Sequence, residues 1–396
     1  MSFRAWRDGR RPVEFEFATA TRIIFGAGAS QQTAALVAGM GQSVLLVAGR
    51  LADRVAPLLN QLAARDWRVA TLVVTGEPTI DTVRHGTQQA RAGHCDVVIG
   101  FGGGSVLDTG KAIAALLTNG GEPLDYLEVI GRGKPMTQPA APYVAIPTTA
   151  GTGAEVTRNA VLGSPEHQLK VSLRSPLMLP RLAIVDPQLT YGLPQHITAY
   201  TGLDALTQVM EPLVSNSTNP LTDAICRAGL QRAARSLPRV CAQGDDLAAR
   251  ADMALVSLFG GMALANAKLG AVHGIAGPFG GMFSSPHGAT CAALLPHVMA
   301  ANVRALRGRQ PDSPALYRYE EVARTLTGSR CATALDGAKW VLDLCREVHI
   351  PPLSSYGCST ADFPALVTRA ARASSMQGNP IKLTEHELEE ILSQAL

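Results

Sequence analysis

Five short, mainly apolar runs, all in the first half of the chain, constrain the fold more than any other feature. They fall at 44–47 (VLLV), 69–74 (VATLVV), 96–101 (DVVIGF), 143–146 (YVAI) and 182–185 (LAIV). Runs of this length without clean polar alternation suit strands buried on both faces, as in a parallel sheet covered by helices. Parallel strands need long crossovers, and stretches such as 31–40 and 53–65 are long enough to supply crossover helices. The alternation therefore predicts a doubly wound α/β half.

After Pro194 the texture changes. Ala-, Leu- and Arg-rich segments at about 197–215, 218–236, 245–268, 290–303, 315–327, 332–347, 361–374 and 384–395 are separated by Pro or Gly. They predict helices. A chain of 396 residues also exceeds the ~250–300 at which single cores stop growing. The expected division is an α/β domain over 1–190 and an all-helical domain over 191–396. A ligand site is expected in the cleft between them.

Composition removes several classes. A hydrophobic fraction of 46% with only 17% charged residues is foreign to a disordered chain. Lys and Arg total 35 against 32 Asp and Glu, a net charge of +3 with no basic stripe, so no nucleic-acid partner is expected. No stretch reaches ~18 uncharged apolar residues, so no membrane span is expected. Arg4, Arg7, Arg10 and Arg11 are followed by no apolar segment and read as a solvated leader rather than a secretory signal. The seven cysteines (Cys95, Cys226, Cys241, Cys291, Cys331, Cys345 and Cys358) are scattered and form no CxxC pair. That pattern points to a reducing cytoplasm and away from a disulfide framework or structural zinc.

Glycine stands at 38 of 396 residues, above the usual ~7%, and it is clustered. At 101–111 the sequence reads FGGGSVLDTGK. A buried strand ends, three glycines follow, and a helix begins near Ser105. Glycines admit a ligand close to the backbone, and the free N–H groups of a helix start favour phosphate. A plain tight turn needs fewer glycines. The segment is no Walker loop, because Ala112 follows Lys111 where that motif requires Ser or Thr. Residues 26–30 (GAGAS) begin like a dinucleotide fingerprint but lack its third glycine, and read as a structural turn. Residues 147–157 (PTTAGTGAEVT) also follow a strand; Thr148, Thr149 and Thr152 can bond phosphate or sugar, or simply form a polar loop. In the helical half, Asp204 and Gln208 are four apart and share a helix face. His273 and His287 are flanked by glycines and apolar residues. One carboxylate and two imidazoles suit Fe²⁺ or Zn²⁺, although a lone histidine is more often structural.

Together these segments resemble the iron-containing (group III) alcohol dehydrogenase family. GGGSVLDTGKA, PTTAGTGAEVT, AIVDP, GLDALTQ, VHGIAGP and SPHGA occur in the family's order and spacing, from about 25 to 297. The resemblance implies a dehydroquinate synthase-like fold, with an N-terminal dinucleotide-binding parallel-sheet domain and a C-terminal helical domain. It implies that Gly102, Gly103, Gly104 and Ser105 hold a pyrophosphate and that Asp108, Thr148, Thr149 and Thr152 surround the phosphates and nicotinamide. Asn159, Lys170 and Leu189 match positions near the ribose and adenosine. Asp204, His273 and His287 match three of the family's four metal ligands, one Asp and three His, and Gln208 occupies the position of the other histidine. An amide oxygen is a weaker ligand than imidazole, so Gln208 coordinates weakly, is replaced by water, or metal is lost. Gly277 stands where many members carry a histidine, which removes a proton relay and enlarges the pocket for a bulkier substrate. NAD-preferring members often have an Asp after the first long strand. Here Gly49 and Arg50 follow it, so NADP is expected to be tolerated.

The expected activity is a metal-dependent alcohol dehydrogenase, or aldehyde and ketone reductase, moving hydride between an alcohol carbon and NAD or NADP. The expected metal is Fe²⁺, with Zn²⁺ second. Asp204, His273 and His287 would be catalytic through the metal, in a cytoplasmic homodimer. Three alternatives are a metal-independent, maleylacetate-reductase-like ketone reductase, a cyclising lyase of the dehydroquinate synthase kind, and a non-catalytic dinucleotide- or metal-binding protein.

Overall fold

A computed structural model describes residues 14–50 and 52–396. The four leader arginines lie outside the described residues. Six parallel strands form one sheet: β1 (Ile23–Phe25), β2 (Ser43–Ala48), β3 (Arg68–Val73), β4 (Val97–Gly102), β5 (Tyr143–Pro147) and β8 (Leu182–Val185). Their order is β1-β8-β5-β4-β2-β3. Every residue of β2, β4, β5 and β8 is buried, which is why their sequences are continuous in apolar character. The helices α1 (Thr33–Leu36), α2 (Ala52–Ala63), α3 (Ile80–Ala92), α4 (Gly104–Asn119) and α5 (Pro123–Tyr126) accompany the sheet. One apolar core includes Leu45, Val98 and Ile113, and a second includes Leu46, Ile99 and Leu58. Alternate residues of β2 and β4 thus enter different cores, as the pleat requires.

Two expectations for this half need correction. Residues 31–40 hold no full crossover helix; a 3-10 turn at Ala29–Gln32 runs into the single turn of α1. The five expected runs leave out β1 and an antiparallel hairpin before β8, β6 (Asn159–Ser164) and β7 (Leu169–Arg174). β6 alternates half-buried and buried positions, so it lacks the continuous apolar signature.

From Gln195 onward the described chain is helical: α6 (Gln195–Val214), α7 (Pro220–Ala242), α8 (Leu247–Asn266), α9 (Ala271–Met282), α10 (His287–Arg309), α11 (Pro314–Thr327), α12 (Ala334–Glu347), α13 (Phe363–Arg372) and α14 (Glu385–Ala395). Eight of these match the expected segments. The ninth, α9, was not foreseen, because Gly274, Gly277, Gly280 and Gly281 dilute its helical signal. Its buried Val272, Ile275, Ala276 and Phe279 bind it to the large helical core. The helix α8 is long and apolar enough to cross a membrane. It packs instead against α6 and α7 inside the helical domain. The fold is an N-terminal parallel-sheet domain joined to a C-terminal helical domain. A small apolar cluster spans the junction: Ala20, Val156, Ala183 and Val185 from the sheet side, with Ala254 and Leu258 of α8.

Candidate active site

The strand order reverses between β2 and β4, since β3 lies on one side of β2 and β4 on the other. In open α/β sheets, ligands sit outside the carboxyl ends of the strands at such a point. β2 ends beside Gly49 and Arg50, and β4 ends at Gly102. Gly103 caps α4 in an extended conformation, and no side chain bonds to that end. Val106 N and Leu107 N close the first turn on Gly103 O, and the N–H groups of Gly104 and Ser105 are left available for an anion. The neighbouring loop after β5 interlocks with this one. Thr148 N donates to Gly102 O at 3.0 Å. A Cβ on Gly104 would stand 2.8 Å from Thr152, and one on Gly103 would touch Thr149 at 3.4 Å. Gly102, Gly103, Gly104, Ser105, Thr148, Thr149 and Thr152 are therefore gathered at one edge.

The other residues matched to cofactor positions are engaged elsewhere. Asp108 Oδ2 accepts from Val161 N at 2.9 Å, and its carboxylate lies 3.7 Å from Lys111. Burial holds Asp108 above the usual carboxylate range, against the pull of that lysine. Lys111 is fully buried and donates to Ala154 O, Thr157 Oγ1 and Asn159 O at 2.7, 2.8 and 2.8 Å. It ties α4, the threonine loop and β6 together. Lys170 on β7 lies 3.3 Å from Glu77 and packs over Gly280 of α9. Leu189 borders the second sheet core, and its carbonyl accepts from Arg54 at 3.1 Å. The GAGAS segment behaves as a turn: Gly28 is left-handed (φ 78°), and the N–H groups of Gly28 and Ser30 donate to Asp186.

The carboxylate and imidazoles converge across the junction. Asp204 sits mid-α6, His273 in the first turn of α9, and His287 at the start of α10. His273 Nε2 is 3.3 Å from Asp204 Oδ1, and His287 Nε2 is 3.9 Å from the same oxygen. Asp204 Oδ1 is buried with no hydrogen-bond partner. Burial opposes ionisation of Asp204, but the two histidines and Gln208 outweigh it and its acidity is increased. Burial also opposes protonation of His273, yet Cys291, Asp204 and Glu211 hold it well above the ordinary imidazole range. His287 is pushed up to about 9, mainly by Cys291, with Asp204 adding to it against burial. This is the electrostatics of a site that attracts positive charge.

Two functional neighbours were not foreseen. Glu211 lies seven residues after Asp204 on α6, where a helix returns to the same face. Its Oε1 accepts from Val272 N and its Oε2 meets His273 Nδ1, both at 2.7 Å. A carboxylate only accepts, so Nδ1 keeps a hydrogen in either charge state, and Nε2, on the Asp204 side, is the nitrogen that gives up its proton to offer a lone pair. Cys291, four after His287 on α10, completes a group whose donor atoms all lie within 4.8 Å of one another. Both spacings were readable. Gln208 is also close: its Nε2 donates to Gly151 O at 3.2 Å, while its Oε1 is buried without a partner. Gly277 lies on α9 with open space where a side chain would begin.

Residues 20–187 match the family model for iron-containing alcohol dehydrogenase, and residues 198–396 match that of the Fe-containing alcohol dehydrogenase family, C-terminal. A 1,3-propanediol dehydrogenase of Citrobacter freundii is 36% identical over 81% of this chain and 81% of its own length. Alcohol dehydrogenase 4 of Saccharomyces cerevisiae is 35% identical over 94% of this chain and 96% of its own. A solved 1,3-propanediol oxidoreductase superposes with a TM-score of 0.88 at 33% identity, covering 97% of this chain and 100% of that one. A sulfoacetaldehyde reductase from Bifidobacterium kashiwanohense, solved with NAD⁺, gives 0.83 at 27% identity over 97% and 99%. Fold, site and kinship together define an oxidoreductase acting on the CH–OH group of alcohols. The chain belongs to the iron-containing alcohol dehydrogenase family.

Proposed function

We propose that this chain is a metal-dependent dehydrogenase that exchanges hydride between an alcohol carbon and NAD(P), running equally as an aldehyde or ketone reductase. One observation carries the reading. Gln208, one turn from Asp204 on α6, is hydrogen-bonded to Gly151 in the loop after β5. The glycine and threonine loops and the Asp–His–His cluster therefore share a single wall. When bound, a divalent ion supplies Lewis acidity to the alcohol oxygen and the nicotinamide supplies the hydride acceptor.

The donor set fits such an ion. Asp204, His273 and His287 offer one oxygen and two nitrogens, and Asp204 Oδ1 is orphaned without a cation. Three protein ligands with open positions suit a catalytic site. Fe²⁺ is the expected ion, with Zn²⁺ second. Glu211 locks the His273 tautomer, as carboxylate partners of metal-binding histidines do. The open first turn of α4 and the hydroxyls of Thr148, Thr149 and Thr152 would hold the coenzyme phosphates. Gly49 and Arg50 put no carboxylate against a 2′-phosphate, which favours acceptance of NADP. The space at Gly277 widens the pocket for alcohols bulkier than short linear ones, and without a side chain there the proton leaves to solvent or a ribose hydroxyl. Seven free thiols suit a reducing cytoplasm, and we take the working form to be a homodimer.

The test is to purify the protein, measure bound Fe and Zn, and assay NAD(H) against NADP(H) with an alcohol and aldehyde panel. His273→Ala is expected to lose both metal and turnover. Activity in metal-free protein, indifferent to chelator, would overturn the reading.

A further inference from the structure

We propose that Cys291 is the fourth protein ligand of the metal, in place of the side chain at 208. The proposal rests on the metal-dependent reading above and adds a residue to it.

Cys291 is fully buried one helical turn after His287, so both side chains leave the same face of α10. Its Sγ lies 3.6 Å from His287 Nε2. A tetrahedral ion at ~2.0 Å from nitrogen or oxygen and ~2.3 Å from sulfur spaces its ligand atoms ~3.6 Å apart for N···S and ~3.3 Å for N···O. The observed Cys291–His287 separation is 3.6 Å and the His273–Asp204 separation 3.3 Å. The His287–Asp204 pair, at 3.9 Å, is slightly wider. The four donor atoms, from three helices, all lie within 4.8 Å of one another, close enough for small side-chain shifts to bring them around one ion.

Gln208 competes poorly. Its nitrogen is committed to Gly151 O at 3.2 Å, so the amide serves as a donor in this site. Only its neutral oxygen is left to offer a cation. A thiolate brings charge and a softer atom, which favours Zn²⁺ over Fe²⁺ relative to an all-N/O set.

The experiment is a Co²⁺ titration of chelator-stripped protein, read by absorption spectroscopy. Sulfur ligation gives an intense thiolate-to-cobalt charge-transfer band in the near ultraviolet, and oxygen and nitrogen ligands alone do not. The unmodified protein is expected to show the band. Cys291→Ser, with an unchanged circular dichroism spectrum, is expected to bind Co²⁺ still through Asp204, His273 and His287, at least tenfold more weakly and without the band. X-ray absorption of the Zn²⁺ form should show one sulfur at ~2.3 Å. Co²⁺ bound without the band, or unchanged binding in Cys291→Ser, overturns the cysteine ligand and leaves the wider reading standing. No Co²⁺ bound by the unmodified protein overturns both.

Discussion

Gly261→Ala should damage this enzyme although it replaces glycine by the best helix former. In an ordinary helix interior the change gains ~1 kcal/mol. At Gly261 on α8 the new methyl would stand 2.2 Å from Gly153 O, where ordinary contact begins at 3.4 Å. Helix and loop must part by the difference, 3.4 − 2.2 = 1.2 Å. The contact has no flexible member. Gly153 is left-handed (φ +60°), its own Cβ would stand 2.4 Å from Gly261 Cα, and its N–H donates to Ser257 on the same helix. Overpacking of this kind costs ~1–3 kcal/mol, so the helical gain is offset or exceeded. The kinetic effect should be larger. The displaced loop carries Thr148, Thr149 and Thr152 and touches Gln208, and a misplacement of ~1 Å costs ~100-fold in catalysis. The assay is kcat/KM and coenzyme affinity beside urea unfolding. Gly308→Ala is the control: it lies exposed on α10 with no neighbour within 4 Å of a Cβ, and should keep activity with equal or slightly greater stability. Unchanged kinetics and unfolding in Gly261→Ala would refute the claim that this contact sets the loop.

Three further outcomes follow from buried charge. Glu211→Gln should lower metal affinity ~10–100-fold, as loss of a histidine's carboxylate partner does, with little change in coenzyme affinity; equilibrium dialysis with Zn²⁺ checks it. Lys111→Met should cost ~3–5 kcal/mol, because it strips three acceptors and leaves the Asp108 charge without its partner; denaturant unfolding measures it. Burial raises the Glu155 carboxyl from 4.5 to about 7. The folded state then binds more protons than the unfolded state across that window, so this group's stabilisation is full below 4.5 and is lost as pH rises to 7. The loss amounts to about 3 kcal/mol. Glu155→Gln should flatten that slope in unfolding free energy measured from pH 5 to 8, and an unaltered slope would exclude Glu155 as its source.

The parts of the fold legible in the sequence are those where burial alone decides residue type. β2 and β4 are buried on every residue, so Leu45, Leu46, Val98 and Ile99 declare a central parallel sheet. β6 and β7 are half-buried and six residues each, and their alternation is shorter than the noise of a polar loop. α9 illustrates a second limit. Its glycines answer to tertiary contacts: a Cβ on Gly281 would meet Gln168 O at 2.9 Å, and one on Gly274 would meet Met376 at 2.9 Å. A glycine that lets a helix lie against other backbone looks, in sequence, like a glycine that ends one.

The site divides along the same line. Asp204 and Gln208 were placed on one face because helix periodicity is local, and the same arithmetic reaches Glu211. What periodicity does not give is purpose. Glu211 matters because Gly270 leaves room for its carboxylate at the start of α9, where a Cβ would stand 2.8 Å from Oε1. Cys291 matters because α9 and α10 meet α6 although His273 and His287 lie 273 − 204 = 69 and 287 − 204 = 83 residues beyond Asp204. A thiol four residues from a histidine is unremarkable until a carboxylate and a second imidazole arrive from other helices. Ligand identity is therefore a property of the packing of three helices: a Cβ on Gly270 would stand 2.8 Å from Glu211 and one on Gly288 2.5 Å from Tyr200 O, so these two glycines let α9 and α10 lie against α6.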